Sequence, residues 1–367
     1  MTRPAPPWAR ATARTDPPID TLAARPAEPL SDPLGGAAAP PFPLPASQAP
    51  AVTLGDRAVH ALLTDDVPGL LRFAHAWLDA VARGTTRVHT VPKAVFDAPD
   101  GGDLRVMACV SEAAGGRLQT VKVVGTNRAQ RRLPGQITVG TVCVLHAQEH
   151  FVTHRFDACV FSSARTGLLA ALAVGALAPG RAQVGVIGAG RVGYYTARYL
   201  ACLPGVARVA LADTDADRAA RCVWALRPVC GGVAVEAVTP AAVPAATVVL
   251  ATTAERPFWP LPDDAGGAHV GALVVSVGAD ARGQRELHPD WHRAQLYTDG
   301  ADTLVTGDLL AWRQAGLRFA PPADLTAALA TPPAVSVAPR AVVSAGTALW
   351  DNLTCAYLLH RLGAAPA

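Results

Sequence analysis

Residues 184 to 193 read Val184-Gly185-Val186-Ile187-Gly188-Ala189-Gly190-Arg191-Val192-Gly193. An apolar, β-branched run leads into glycines spaced G-x-G-x-x-G, and a helical pattern follows. No other stretch of the chain constrains the fold as much. Gly188 permits a tight turn, Gly190 lets the backbone approach a pyrophosphate, and Gly193 allows close packing of helix on strand. Ala189, Arg191 and Val192 complete the turn. The free N–H groups and the positive dipole end of the helix then face the phosphates.

The spacing alone is a weak signal, and its surroundings make it specific. A second strand pattern, residues 208–212, ends at Asp213, 20 residues after Gly193. A carboxylate there accepts hydrogen bonds from ribose hydroxyls and repels a 2′-phosphate. No arginine directly follows it, so NAD is expected in preference to NADP. Helix patterns at 191–203 and 215–226 alternate with strand patterns at 183–187, 208–212, 233–238, 247–252 and 273–277. This rhythm predicts an α/β, Rossmann-type doubly wound parallel sheet. Thr252 and Thr253 close the strand at 247–252, where small hydroxyl residues can line the nicotinamide side of the cleft or simply cap the loop.

The flanking segments read differently. Helix patterns cover 56–63 and 67–83, strand-like runs fill 87–154, and an apolar helix covers 163–177. An amphipathic helix at 345–362 is expected to pack back on this first domain. The predicted organisation is a second, α+β domain for substrate and dimerisation, residues 51–178 plus 330–367. The NAD-binding unit, 179–329, is inserted into it. Residues 1–50 carry Pro-Pro at 6–7, 17–18 and 40–41 and show no periodicity. They are read as a disordered tail, with a partner-binding polyproline segment as the alternative.

Composition excludes several classes. The net charge is +3 and the basic residues are scattered, so no nucleic-acid footprint is expected. Seven cysteines form no Cys-x-x-Cys pair and none lies at zinc-ligand spacing. No metal is expected, and the cysteine usage fits a reducing cytoplasm. The longest apolar stretch, 168–178, is about half of what a bilayer requires, and the start does not read as a signal peptide.

Four charged residues stand in telling places. Lys122 lies within Thr120-Val121-Lys122-Val123-Val124, on one face of a strand. It is either a snorkelling surface lysine or a carboxylate-binding lysine of lowered pKa. Arg165, near the start of an apolar helix, can cap structure or clamp a carboxylate bidentately. Arg87 precedes a strand and is ambiguous by itself. Asp280 follows the strand at 273–277, at the sheet edge where ligands bind, and a carboxylate there can shuttle protons.

Together these residues resemble the ornithine cyclodeaminase/mu-crystallin family, from about Val52 to the C-terminus. The resemblance rests on Val121-Lys122, on Ser163-Ala164-Arg165-Thr166-Gly167, on Gly188-Ala189-Gly190 and on Val277-Gly278-Ala279-Asp280 with Arg285-Glu286-Leu287. It also rests on the run from Ser344 to Asp351. It implies an inserted nucleotide-binding domain, a homodimer and an amino-acid substrate. It further implies that Lys122, Arg165 and Arg87 hold the substrate carboxylate while Asp280, with Lys122, serves catalysis.

Departures from the family pattern bear on the substrate. Ornithine-specific members resembling this chain carry Glu where it reads Arg105, and an arginine would repel ornithine's distal amine. The usual Thr-Ala-Ala is Thr166-Gly167-Leu168 here, and Val343 replaces an aspartate. Lys122-Val-Val-Gly-Thr-Asn127 is similar to relatives outside the true cyclodeaminases, including amino-acid dehydrogenases of metallophore biosynthesis. The expected activity is therefore NAD-dependent chemistry at the α C–N bond through an imine: cyclisation, dehydrogenation or imine reduction. A non-catalytic nucleotide binder and an accessory subunit of an oxidase are the alternatives.

The tail carries no pattern able to bury a core. Deleting residues 1–48 is expected to leave melting temperature and cofactor binding unchanged, and a large fall in melting temperature would show that the tail packs.

Overall fold

A computed structural model of the chain describes residues 50–98, 102–127, 130–262, 271–281 and 283–364. The tail expected over residues 1–50 lies outside these, except for Pro50.

Strand β1 (Val52–Leu54) leads into helices α1 (Asp56–Thr64) and α2 (Val67–Ala82). Asp66 caps α2 by accepting from the Gly69 N–H, and Pro68 occupies its first turn. Val67, Leu70, Leu71, Ala74 and Leu78 recur at helical spacing and are buried. Six strands follow: β2 (Thr86–Thr90), β3 (Ala94–Asp97), β4 (Asp103–Ala113), β5 (Gly116–Thr126), β6 (Thr138–Leu145) and β7 (Val152–Asp157). Among the described residues they form a seven-stranded sheet in the order β1-β7-β6-β5-β4-β2, with β3 also on β4. The β1–β7 pair is parallel and the other pairs are antiparallel. The period of two along β5 turns Leu118, Thr120, Lys122 and Val124 inward.

Helix α3 (Ala158–Leu177) starts five residues earlier than the sequence pattern indicates. It is long and apolar enough to cross a membrane, yet 83% of its apolar window is buried inside the protein. It serves as a core helix, packed on α1, on β6 and on the first helix of the nucleotide unit.

That unit runs β8 (Gln183–Ile187), α4 (Arg191–Leu200), β9 (Arg208–Ala212), α5 (Ala216–Leu226), β10 (Ala234–Ala237), β11 (Thr247–Leu250) and β12 (Leu273–Ser276). It continues through β13 (Gln295–Thr298), α6 (Gly307–Gln314), β14 (Ala323–Asp324), α7 (Leu325–Ala330) and β15 (Arg340–Val343), and α8 (Ala348–Arg361) follows. Its eight described strands form a parallel sheet in the order β10-β9-β8-β11-β12-β15-β13-β14. The strand order reverses between β8 and β11, which opens a crevice above their carboxyl ends. The expected α/β, doubly wound parallel sheet is present.

One boundary differs from expectation. The sequence pattern places residues 330–367 in the first domain, but β15 pairs with both β12 and β13 inside the nucleotide sheet. The strand has four residues, all buried, as an interior parallel strand requires, and it is too short to show a period. The chain therefore leaves this sheet after Val343, not at 330. Arg340 ties the parts together, since its guanidinium donates to the Leu177 carbonyl at the end of α3 (2.9 Å). All seven cysteines are free thiols.

Gly167 explains one departure from the family pattern. A Cβ there would lie 2.7 Å from the Thr196 nitrogen of α4, so glycine is what allows α3 and α4 to approach so closely. Gly167→Ala gains helix propensity but forces the helices apart, and overpacking costs about 1–3 kcal/mol. A lower urea midpoint at unchanged slope is expected, and a raised midpoint would contradict this packing.

Candidate active site

The glycine turn lies at the switch point. Gly188 has φ +106°, and a Cβ on it would lie 2.3 Å from the Ala251 carbonyl oxygen. A Cβ on Gly193 would lie 1.8 Å from the Gly188 oxygen, so helix and turn close on each other only without side chains. At Gly190 nothing stands within 4 Å of such a Cβ, and no side chain caps α4. That open cradle of N–H groups fits a pyrophosphate. Asp213 accepts from the Ala189 N–H (2.8 Å) and the Asp215 N–H (2.9 Å). Arg218 stands 3.4 Å from Asp213, a cation that sequence adjacency did not reveal. The Arg191 side chain bonds the Gly135 carbonyl of the loop after β5, while Val192 lines the cavity next to the turn.

Beside the turn lies a cavity of about 200 Å³. It is below the roughly 300–1,000 Å³ of pockets for drug-sized ligands, so it suits a small substrate. Lys93, Arg105, Lys122, Arg165 and Asp280 reach into it, together with Thr252 and Thr253. The structure thus brings Lys122, Arg165, Asp280, Thr252 and Thr253 together as the sequence suggested.

Lys122 is 1% exposed, which rules out the snorkelling alternative. Its ammonium donates to Asp351 of α8 at 2.8 Å. Burial first, and then the Arg165 guanidinium, bring its pKa down to about 8 against the pull of Asp351. Arg165 pairs with Asp351 through Nε at 3.2 Å, and its terminal nitrogens make no hydrogen bond among the described residues. Those two nitrogens form a fork of the geometry that clasps a carboxylate. Asp280 follows β12 and meets an Arg105 terminal nitrogen. Burial works against its ionised form, but Arg105, Lys93 and Arg165 outweigh that and hold its pKa below the usual carboxylate value.

Arg87 is a correction. It lies exposed on β2, opposite Glu112 of β4, and lines a different cavity with Thr298 and Asp299. Lys93 stands at the site instead, with its ammonium on the Ala345 carbonyl (2.9 Å) and its pKa lowered by burial. The sequence reading also missed Asp351 as a site residue, although its motif was visible. No local pattern singles out Lys93.

A buried acidic pair holds Thr252 just after β11. Glu286 accepts from the N–H and hydroxyl of Thr252, from Ser276 Oγ and from the Gly278 N–H, at 2.7–3.0 Å. Asp308 accepts from the N–H groups of Glu286 and Leu287. Burial, and then the neighbouring Glu286, push the Asp308 carboxyl up to about 7.

The family model described as "Ornithine cyclodeaminase/mu-crystallin family" matches residues 65–315. No curated protein sequence matches the chain. Among solved structures, a Δ1-pyrroline-2-carboxylate reductase of Thermococcus litoralis, in complex with NADH and L-proline, superposes with a TM-score of 0.71 at 17% identity. That match covers 85% of this chain and 98% of the reductase. A lysine cyclodeaminase gives 0.70 at 22% identity, covering 85% and 92%. An archaeal alanine dehydrogenase dimer with bound NAD gives 0.69 at 18%, covering 84% and 95%. At these identities the likeness establishes the shared fold.

Asp308 makes stability depend on pH. Its folded pKa, about 7, lies above the ordinary value of 3.8, so the folded state binds a proton that the unfolded state releases. Its stabilisation is complete below the unfolded value and is lost as pH rises to about 7. Melting curves at pH 5 and pH 8 are expected to converge in Asp308→Asn relative to wild type, and an unchanged difference would remove Asp308 as the cause.

Proposed function

Because the chain belongs to the ornithine cyclodeaminase/mu-crystallin family, we propose that it is an NAD-dependent enzyme acting at the α C–N bond of an amino acid, by dehydrogenation or by reduction of the corresponding imine. The observation that carries this reading is the placement of Asp280. It opens into the same small cavity as the Arg165 fork, beside the glycine turn and Thr252.

Gly188, Gly190 and the first turn of α4 would hold the pyrophosphate, and Asp213 the ribose. Bound there, NAD supplies a hydride acceptor, or in its reduced form a donor. Arg165 and Lys122 fix the α-carboxylate and so orient the α-carbon. Asp280, ionised at neutral pH, takes a proton from the substrate nitrogen and returns one in the reductive direction. Thr252 and Thr253 border the reacting centre, and Glu286 fixes Thr252 through its N–H and hydroxyl.

Ring closure would need a group to hold a distal ammonium. Among the described lining residues Asp280 is the only carboxylate, and Arg105 already touches it. This favours simple dehydrogenation or imine reduction over cyclisation. A homodimer is part of the proposal. Phe96, Leu104 and Val123 share the outer face of the antiparallel sheet and are 59%, 44% and 36% exposed, an apolar patch suited to a second copy.

Asp280→Asn keeps the shape of the side chain but cannot accept a proton. Turnover of amino acids with NAD+ is expected to fall about 100-fold or more, while NADH affinity by fluorescence titration stays within about twofold. In the same titration NADH is expected to bind more tightly than NADPH because of Asp213. Wild-type turnover in the variant would show Asp280 to be a loop residue and would overturn the mechanism.

A further inference from the structure

Resting on that reading of the site, we infer that the substrate carries a second carboxylate on its side chain, received by Arg105 and Lys93. Four cations and one carboxylate reach the cavity among the described residues. Behind them Asp351 neutralises part of the Lys122–Arg165 pair, and Asp103 braces Arg105. Four cations face the cavity against Asp280 alone, with Asp103, Asp302 and Asp351 set behind them, so the surface a ligand meets is positive, and an oxidised nicotinamide would add to it. A diamino acid brings a further positive charge into this enclosed space, whereas a dicarboxylic amino acid removes one. Uncompensated like charge in a buried site is costly, so the acidic substrate is the one the wall selects.

The geometry agrees with the charge. Met107 of β4 stands opposite Lys122 of β5, and Arg105 stands opposite Val124. Arg105 therefore lies two residues along the same inward face, roughly 7 Å at the rise of a strand. With one carboxylate on Lys122 and Arg165, a chain of two or three carbons brings the other within reach of Arg105.

Donors are available at that end. Arg105 commits Nε and one terminal nitrogen to Asp103 and the other terminal nitrogen to Asp280, which leaves two of its five N–H groups. Among the described residues Lys93 commits its ammonium to the Ala345 carbonyl alone. Asp103 is itself fixed by the Thr126 hydroxyl at 2.7 Å, so the guanidinium is held in place before any ligand arrives.

Three probes of matched length test this on the full-length protein with NAD+ bound: valerate, glutarate and 5-aminovalerate, titrated by calorimetry. Glutarate is expected to bind about tenfold or more tighter than valerate, and 5-aminovalerate weakest. Arg105→Gln is expected to abolish the glutarate advantage while valerate affinity stays within about twofold. Lys93→Met is expected to reduce that advantage and serves if Arg105→Gln does not fold. Glutarate binding no better than valerate in wild type overturns the inference, as does a variant that weakens both probes equally. In that case valerate binding, or turnover of a neutral amino acid, leaves the proposed function standing. Absence of all carboxylate binding and of all amino-acid turnover removes both.

Discussion

Asp351 arrives from the last helix and is buried between two cations supplied by different elements. Lys122 comes from β5 at 2.8 Å and Arg165 from α3 at 3.2 Å. Taking three charges out of water costs several kcal/mol for each ion, which mutual attraction offsets only when the geometry is good. Removing any one member strands a charge in the interior. The arrangement is thus poor at generating stability and effective at specifying position. It points the free end of Arg165 into the cavity and holds Lys122 at its wall. Because β5, α3 and α8 lie far apart in sequence, the site cannot form until the chain has passed through the whole nucleotide unit and returned.

The return path matters as much as its endpoint. After β15 the chain runs through Ser344, Ala345 and Gly346 before α8 begins. Ser344 donates to Asp299, which also accepts from Trp350 Nε1, so the turn is anchored on both sides. The Ala345 carbonyl receives Lys93. Gly346 has φ +70°, and a Cβ there would lie 2.6 Å from an Arg165 terminal nitrogen. One short connection therefore sets the position of two of the cations and tolerates no side chain where it touches the second.

The contrast between what sequence revealed and what it concealed follows from range. The nucleotide unit was legible because its requirements are local. A strand, three glycines and a helix must occur in that order, and Gly188 and Gly193 are obliged to lack side chains by contacts within the same turn. Asp280 was legible because it directly follows a strand. Lys122 was visible as a charge among β-formers, though only the structure settles that it faces inward. Lys93 and Arg87 are each a single basic residue close to a strand, and nothing nearby says which one the β4 register carries to the cavity. Strand β15 was missed because four buried residues show no periodicity. Its place depends on partners more than forty residues away.

Helix α3 belongs to both halves of the molecule. Its first turns carry Arg165, its middle packs on α4 through Gly167, and its last carbonyl is held by Arg340 of β15. From β15 the chain passes to Gly346, which presses on Arg165 again. Covalent and non-covalent links thus close a ring that includes both sheets. A species with one sheet ordered and the other melted would have to open that ring and expose the apolar length of α3. The two sheets of the described residues are thus coupled through one helix, and melting either one removes packing from the other.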